Sequence, residues 1–381
     1  MKIVDVCEFY SERGGGVRSH LTTRGHSLQR LGHEHLLVVP GSKDEDIELY
    51  ASTAPSGKSR LVRVAGPALP YDRTYHLLGR LDKIRARVRL EGADILEAHS
   101  PYLGAAAVVA SGRGASRART AFWHSDHVGT YIEPRLGRFG AALSWTPRVL
   151  LAPFDATFVA GEGQARKLRA AGVRNVVHVP FGVDVDVFRP SARDSATRRR
   201  LLGDAAGPLL VGVGRFAFEK RWDVVLEALG RLRSSQPGAT LVLFGDGPER
   251  ERLERRAPAG VRFAGFVADR SELAAALASA DVLVHGCPYE TFGLGVAEAV
   301  ASGLPVVVPD AGGAAESADP ASSQTYRSLD AAACAAAIAA LLARDPEELR
   351  ARAVEAVTRV PTVGQHFSRV LGVYADLLRA C

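Results

Sequence analysis

The sequence predicts an α/β protein made of two Rossmann-like halves, each a parallel sheet covered by helices on both faces. Three observations carry this. Apolar runs of strand length alternate with helical stretches along most of the chain, the pattern of βαβ units. The chain has 381 residues, enough for two ordinary domains. Near its middle, residues 180–190 are bounded by Pro and Gly and followed by the polar run 191–200, which marks a connector.

Apolar residues make up 47% of the chain and charged residues 24%, so each half can bury a core without staples. The cysteines Cys7, Cys287, Cys334 and Cys381 are scattered, with no CxxC. That argues against a disulfide framework or a zinc site and suits a reducing compartment. Met1-Lys2 runs straight into a strand, and no run of eighteen apolar residues occurs. The expected location is therefore cytoplasmic, with nothing spanning a membrane. The net charge is +6, nearly all of it from Arg, and the last lysine is Lys220. Either a compositional bias toward Arg or an anionic partner, such as a sugar nucleotide or a membrane surface, explains it. No basic stripe with interleaved aromatics appears, so nucleic acid is excluded as a partner.

Strands are expected in order at 3–9, 36–39, 93–99, 119–124, 154–160 and 176–179. A glycine-rich turn, Gly14-Gly15-Gly16, opens the first helix at 18–31, and residues 41–57 read as polar and irregular. A second series has strands at 208–214, 240–244, 261–263, 282–285 and 305–308, with helices such as 222–232 and 272–279. The simplest arrangement is an N-terminal domain over 1–185 and a C-terminal domain over 186–362, facing a cleft. Residues 363–380 are apolar at helical spacing (Phe367, Val370, Leu371, Tyr374, Leu377, Leu378), so this helix docks on something.

The chain is organised around Cys287-Pro-Tyr-Glu-Thr-Phe-Gly-Leu-Gly-Val-Ala-Glu298. Glu290 opens a glycine-punctuated loop and Glu298 lies inside the helix that follows. Free amides of Phe292, Gly293 and Leu294 at such a helix start suit a phosphate or a sugar oxygen. Gly214-Arg215 ends a strand and Lys220 follows on the next loop, a cation pair that suits a diphosphate. His124 ends another strand, where polar groups face the ligand crevice of such sheets. A metal reading of His124, Asp126 and His127 is weak, because consecutive loop residues rarely supply three ligands. Asp184 and Asp186 lie in the connector and read as turn formers. Gly245-Asp-Gly-Pro248 and Val267 follow two further strands and suit either a base contact or plain turn chemistry. Arg135, Arg138 and Arg148 with Leu136, Phe139, Leu143 and Trp145 suit a membrane surface or the packing of a helix hairpin.

Taken in order, these residues resemble a known family. Gly15-Gly16, His124, Phe181-Gly-Val-Asp184, Gly214-Arg215 with Lys220, Gly245-x-Gly247-Pro248, and Glu290 and Glu298 with Gly303-x-Pro305 are similar to the motifs of retaining GT-B-fold glycosyltransferases of family four. The resemblance covers essentially the whole chain and is strongest over 176–318. It implies the GT-B fold, with the helix 363–381 crossing back onto the N-terminal domain. It implies that Arg215 and Lys220, with Gly214, grip the donor diphosphate. Glu290, Phe292, Gly293 and Leu294 hold the donor sugar and phosphate, Glu298 the ribose hydroxyls, and Val267 and Gly245 the base side. Gly15 and Gly16 meet phosphate or acceptor, and His124 the sugar. No metal and no other cofactor is implied.

The implied activity moves a hexose-type sugar from a UDP- or GDP-sugar to a hydroxyl of a sugar, lipid or polyol acceptor, in glycan, glycolipid or glycoconjugate biosynthesis. Such acceptors allow peripheral contact at the inner face of the membrane. Two other classes share the motifs, a sugar-nucleotide epimerase and a non-catalytic nucleotide-sugar-binding subunit. A phosphorylase needs a late lysine for pyridoxal phosphate, and none follows Lys220. Thr291 stands where the family more often has Gly, and Gly312-Gly313-Ala314 lacks its frequent Ile-Pro. Both touch the donor-sugar side and leave that sugar's identity open; the base, the acceptor and the oligomeric state are not given by the sequence either.

Overall fold

The alternation of apolar strands and helices produces two separate sheets in the computed structural model, which describes residues 1–11, 15–49, 57–126 and 146–380. The chain divides into two units, Met1–Pro180 with Gly364–Cys381, and Phe181–Val363.

In the first unit the strands are β1 (Lys2–Val6), β2 (Glu34–Gly41), β3 (Glu45–Leu49), β4 (Lys58–Ala65), β5 (Ala93–Ala98), β6 (Ser116–Trp123), β7 (Ala156–Val159) and β8 (Val176–His178). Their order is β3-β4-β2-β1-β5-β6-β7-β8. The central strands are buried on both faces, as parallel strands under helices must be. The stretch read as irregular contains a strand: β3 pairs antiparallel with β4 at the sheet edge. Its acids hid it, and those acids hold it. Arg63 donates to Glu45 and Arg60 to Asp46, each at 2.5 Å. Charge on an edge strand also discourages pairing with another chain.

A buried ionic cluster joins this sheet to its first and last helices. Arg24, on the helix Gly16–Arg30, donates from Nε to Asp5 Oδ2 at 2.6 Å and from Nη2 to Asp5 Oδ1 at 3.1 Å. Its Nη2 lies 3.2 Å from Glu97 and donates to the Tyr374 hydroxyl at 2.7 Å. Tyr374, on the helix Val363–Ala380, donates in turn to Glu97 at 2.7 Å. Burial pushes the Asp5 carboxyl up, but the Arg24 guanidinium and His99 overcome this and hold it well below the usual range.

The second unit contains β9 (Leu209–Val213), β10 (Thr240–Phe244), β11 (Val261–Gly265), β12 (Val282–Val284), β13 (Val306–Pro309) and β14 (Ser323–Tyr326). They run parallel in the order β11-β10-β9-β12-β13-β14. Four of its helices start on aspartate caps, Asp194, Asp269, Asp330 and Asp345, whose side chains accept first-turn amides. The division between units falls after Pro180, earlier than the 185 read from the sequence. Val183 donates to Pro361 O at 2.8 Å and accepts from Val363 N at 3.2 Å, which ties the connector to this unit. Asp184 accepts from the Asp186 amide at 3.2 Å, as a turn former does.

Replacing Arg24 by Met leaves Asp5 and Glu97 buried without their cation. The expected cost is about 3–5 kcal/mol, read as a matching loss of hydrogen-exchange protection at β1 and β5 amides. Unchanged protection there would show that the cluster does not hold the sheet.

Candidate active site

The order of the second sheet reverses between β9 and β12. At such a reversal neighbouring connections leave on opposite faces, and the carboxyl ends of the strands stay open. The turns after β9, β10 and β12 supply most of the residues read as donor-binding. Gly214 and Gly245 pack turn on turn. A Cβ on Gly245, which has φ +146°, would lie 1.9 Å from Gly214 O, so only glycine fits. The Gly214 amide donates to Phe244 O and the Gly245 amide to Gly265 O. Trp222 Nε1 donates to Arg215 O at 2.9 Å and fixes the turn from below.

Arg215 donates to Glu219 at 2.9 Å, four residues along the same loop. Lys220 closes the short turn Phe218–Lys220, and Arg221 follows at φ +52°, a strained conformation for a residue with a side chain. Lys220 Nζ donates to Glu290 Oε1 at 2.5 Å, and His285 Nε2 lies 3.2 Å from the same oxygen. Burial alone would push Glu290 up; Lys220 and His285 outweigh it and hold the carboxyl well below its usual value. Burial would likewise lower Lys220, and Glu290 holds it above its usual value instead.

The loop after Glu290 leads into the helix Leu294–Ala301, which starts on Gly293 at φ +83° with no side-chain cap. Gly293 has no side chain to cap the first-turn amides, unlike the aspartate caps of the same unit. Phe292 is buried, edge-on to Phe181 at 5.4 Å between ring centres. The Gly313 amide donates to Glu290 O at 2.6 Å, which pins the loop. Glu298 is buried, and burial pushes its carboxyl up against the opposing pull of Arg270, which donates to it. The Arg270 guanidinium also lies over the Phe188 ring, 4.6 Å from its centre. Val267 is half-buried on the loop between β11 and the helix Arg270–Ser279, beside the exposed Phe266.

The first sheet reverses between β1 and β5. Gly15, at φ +96°, precedes the helix beginning at Gly16; Gly14 lies outside the described residues. His124 follows β6, buried, with its Nε2 2.8 Å from His99 Nδ1. Asp126 pairs with Lys167 at 2.5 Å, while His127 lies outside the described residues.

Residues 14–187 match the family described as Glycosyltransferase Family 4, and residues 207–344 match Glycosyl transferases group 1. The GDP-mannose-dependent alpha-(1-6)-phosphatidylinositol dimannoside mannosyltransferase of Mycobacterium tuberculosis is 33% identical over 81% of this chain and 79% of its own. The chain belongs to glycosyltransferase family four. A GDP-mannose-dependent alpha-mannosyltransferase of Mycolicibacterium smegmatis is 31% identical over 90% of this chain and 89% of its own. Among solved structures, sucrose-phosphate synthase from Thermosynechococcus elongatus superposes with a TM-score of 0.82 at 20% identity, covering 100% of both chains. Anabaena HepE in complex with UDP-glucose gives 0.74 at 17% identity, covering 99% of this chain and 100% of its own. The fold of this glycosyltransferase is GT-B, and its donor is a nucleotide sugar.

Sequence reading missed three partners: His285 beside Glu290, Arg270 on Glu298, and His99 on His124. His285 and His99 carried a signal, a polar residue at a strand's carboxyl end. Nothing local marks Arg270, which touches Glu298 only through the fold.

The shifts at Lys220 and Glu290 make a pH prediction. Glu290, held low, stabilises fully above the ordinary glutamate value of about 4.3, and this is lost as pH falls further. Lys220, held high, loses its contribution only above about pH 10.4. Glu290→Gln should therefore melt below the parent protein at neutral pH, with the gap narrowing from about pH 5 to pH 3. A gap constant across that range would contradict the pairing.

Proposed function

We propose that this glycosyltransferase moves a mannosyl group from GDP-mannose to a hydroxyl of a membrane glycolipid, with retention at the anomeric carbon and without a metal ion. The observation that carries the donor side is the meeting of Arg215, Lys220, Glu290 and the uncapped start of Leu294–Ala301 at one sheet reversal. The names of the mannosyltransferases it resembles support the choice of sugar, base and acceptor.

As the sugar leaves, negative charge builds on the β-phosphate. Arg215 and Lys220 stabilise it together with the helix amides, which are already in place and need not reorient. The bond from the anomeric carbon to the phosphate oxygen breaks, and the acceptor oxygen bonds the same carbon on the same face. The departing phosphate takes the acceptor's proton. Glu290 keeps Lys220 charged and orients it beside the sugar. Glu298 accepts ribose hydroxyls with its pairing to Arg270 kept. Val267 borders the base, Gly15 and Gly16 serve phosphate or acceptor, and His124 serves the sugar.

A lipid acceptor places the enzyme on the membrane face where nucleotide sugars are held, by peripheral contact. No helix among the described residues is long and apolar enough to cross a membrane. Arg148 and Val149 are exposed on the helix Thr146–Leu151, next to the basic-aromatic residues of 127–145, which lie outside the described residues.

Thermal shift with GDP, UDP and ADP should favour GDP, and labelled mannose should reach a mannosylated phosphatidylinositol only when that acceptor is present. Sugar conversion without acceptor would point to an epimerase instead. Arg215→Ala and Lys220→Ala should each slow transfer by about a hundredfold or more while the protein stays folded; near-normal transfer in both would sink the reading. Glu298→Gln removes a buried charge and leaves the partly exposed Arg270 in water, so its melting temperature should hold. Its donor affinity should fall about tenfold or more, and unchanged affinity in calorimetry would dismiss the ribose role.

A further inference from the structure

We propose that Arg270 is the positioning residue for Glu298, holding one carboxylate oxygen so that the other is left for the ribose of the donor. The proposal rests on the reading of Glu298 as the residue that accepts ribose hydroxyls.

Glu298 lies in the helix Leu294–Ala301. Its carbonyl accepts from Ser302 Oγ at 2.9 Å and from the Ser302 amide at 3.0 Å, which fixes its backbone. The carboxylate is separated from that backbone by several torsions, and only 5% of the side chain is exposed. A buried carboxylate without a partner takes a proton or swings toward water. Burial pushes Glu298 up, and Arg270 is the group that pulls the other way. Arg270 Nη2 donates to Oε1. Arg270 is the partner that the described residues give this carboxylate, and it occupies Oε1 rather than Oε2. Ribose hydroxyls are donors, and a carboxylate oxygen held in one place is the acceptor they need.

Arg270 is itself held. It opens the helix Arg270–Ser279 behind the cap Asp269, whose side chain accepts the Ser271 amide at 2.8 Å. Its guanidinium lies 4.6 Å from the centre of the Phe188 ring, and Phe188 is fully buried. The Phe188 amide donates to Asp184 O at 2.8 Å. Further on, the Asp194 amide donates to Ser279 Oγ at 2.9 Å, and Ser279 Oγ donates to Asp194 O at 3.0 Å, so this stretch is tied to the same helix. The ring fixes the face of the guanidinium while its edge meets Glu298. A planar cation can use face and edge at once, and an ammonium cannot. The Arg270 side chain is 44% exposed. The pair is therefore neither closed to solvent, like the cluster around Arg24, nor an ordinary surface pair with both ends in water.

Calorimetry of the full chain with GDP and with its dideoxyribose analogue isolates the ribose contact, because the two ligands differ only in those hydroxyls. The parent should prefer GDP by about tenfold or more, and Glu298→Gln should lose most of that preference. Arg270→Met keeps an apolar stem over Phe188 and removes the cation. Its preference should fall as far as that of Glu298→Gln, with affinity for the analogue little changed. A merely structural role weakens both ligands alike, and that result overturns the proposal. So does a full preference in Arg270→Met beside a lost one in Glu298→Gln. Should the unpaired Glu298 unfold Arg270→Met, the double variant with Glu298→Gln decides, because it buries no charge. Its GDP affinity should equal that of Glu298→Gln, since Arg270 acts through Glu298. A further loss of about tenfold would make Arg270 a donor contact in its own right and overturn the proposal. No preference in the parent, or a full one in Glu298→Gln, removes the reading of Glu298 on which the proposal rests.

Discussion

A parallel sheet that grows first one way and then the other leaves a gap where its order reverses, because the crossovers on either side depart on opposite faces. Both units of this glycosyltransferase have such a reversal, at β1 and β5 and at β9 and β12. The chemistry-bearing residues gather at the carboxyl ends of the strands beside it, with Gly15, His99 and His124 in one unit and Arg215, Lys220 and Glu290 in the other. The turns there must pack backbone on backbone, which is why Gly245 meets Gly214 without room for a methyl group. The same crowding accommodates Arg221 in a conformation its side chain disfavours.

The two units treat buried charge differently. In the C-terminal unit each of three site cations has a carboxylate: Arg215 with Glu219, Lys220 with Glu290, and Arg270 with Glu298. These pairs balance charge within the unit itself. A donor diphosphate, in the proposed function, would meet groups already placed, so little reorganisation would be needed when charge develops. In the N-terminal unit the cluster around Arg24 is closed to solvent, and its role is to fix positions rather than to meet a ligand.

Much of this was legible in sequence because it is local. Most apolar strands buried on both faces announce themselves, and so do glycines after strands, with Arg215, Lys220, Glu290 and Glu298 at their family spacings. β4 was missed although it lies inside the sheet, because Lys58, Arg60 and Arg63 interrupt its apolar residues. Strands that lie at edges do not announce themselves either. β3 is acidic and β14 is Ser-Gln-Thr-Tyr, so the hydrophobic pattern is silent and cross-strand partners decide. Arg24 reads as an ordinary polar position on a helix, and only the fold shows it with no exposed surface. Arg270 is hidden for the same reason. The connector's true attachment depended on Val183 reaching Pro361, a pairing that composition cannot reveal.

Tyr374 has a consequence for the order in which the protein is made. Its hydroxyl lies between Arg24 and Glu97, and its helix belongs to the N-terminal unit. On the ribosome that helix emerges only after the whole second unit. Until then Arg24 and Glu97 lack one member of their cluster, and the first unit must wait half-finished while its neighbour is synthesised. Vectorial synthesis thus makes the second unit, Phe181–Val363, the one able to complete its fold first, although it begins later in the chain.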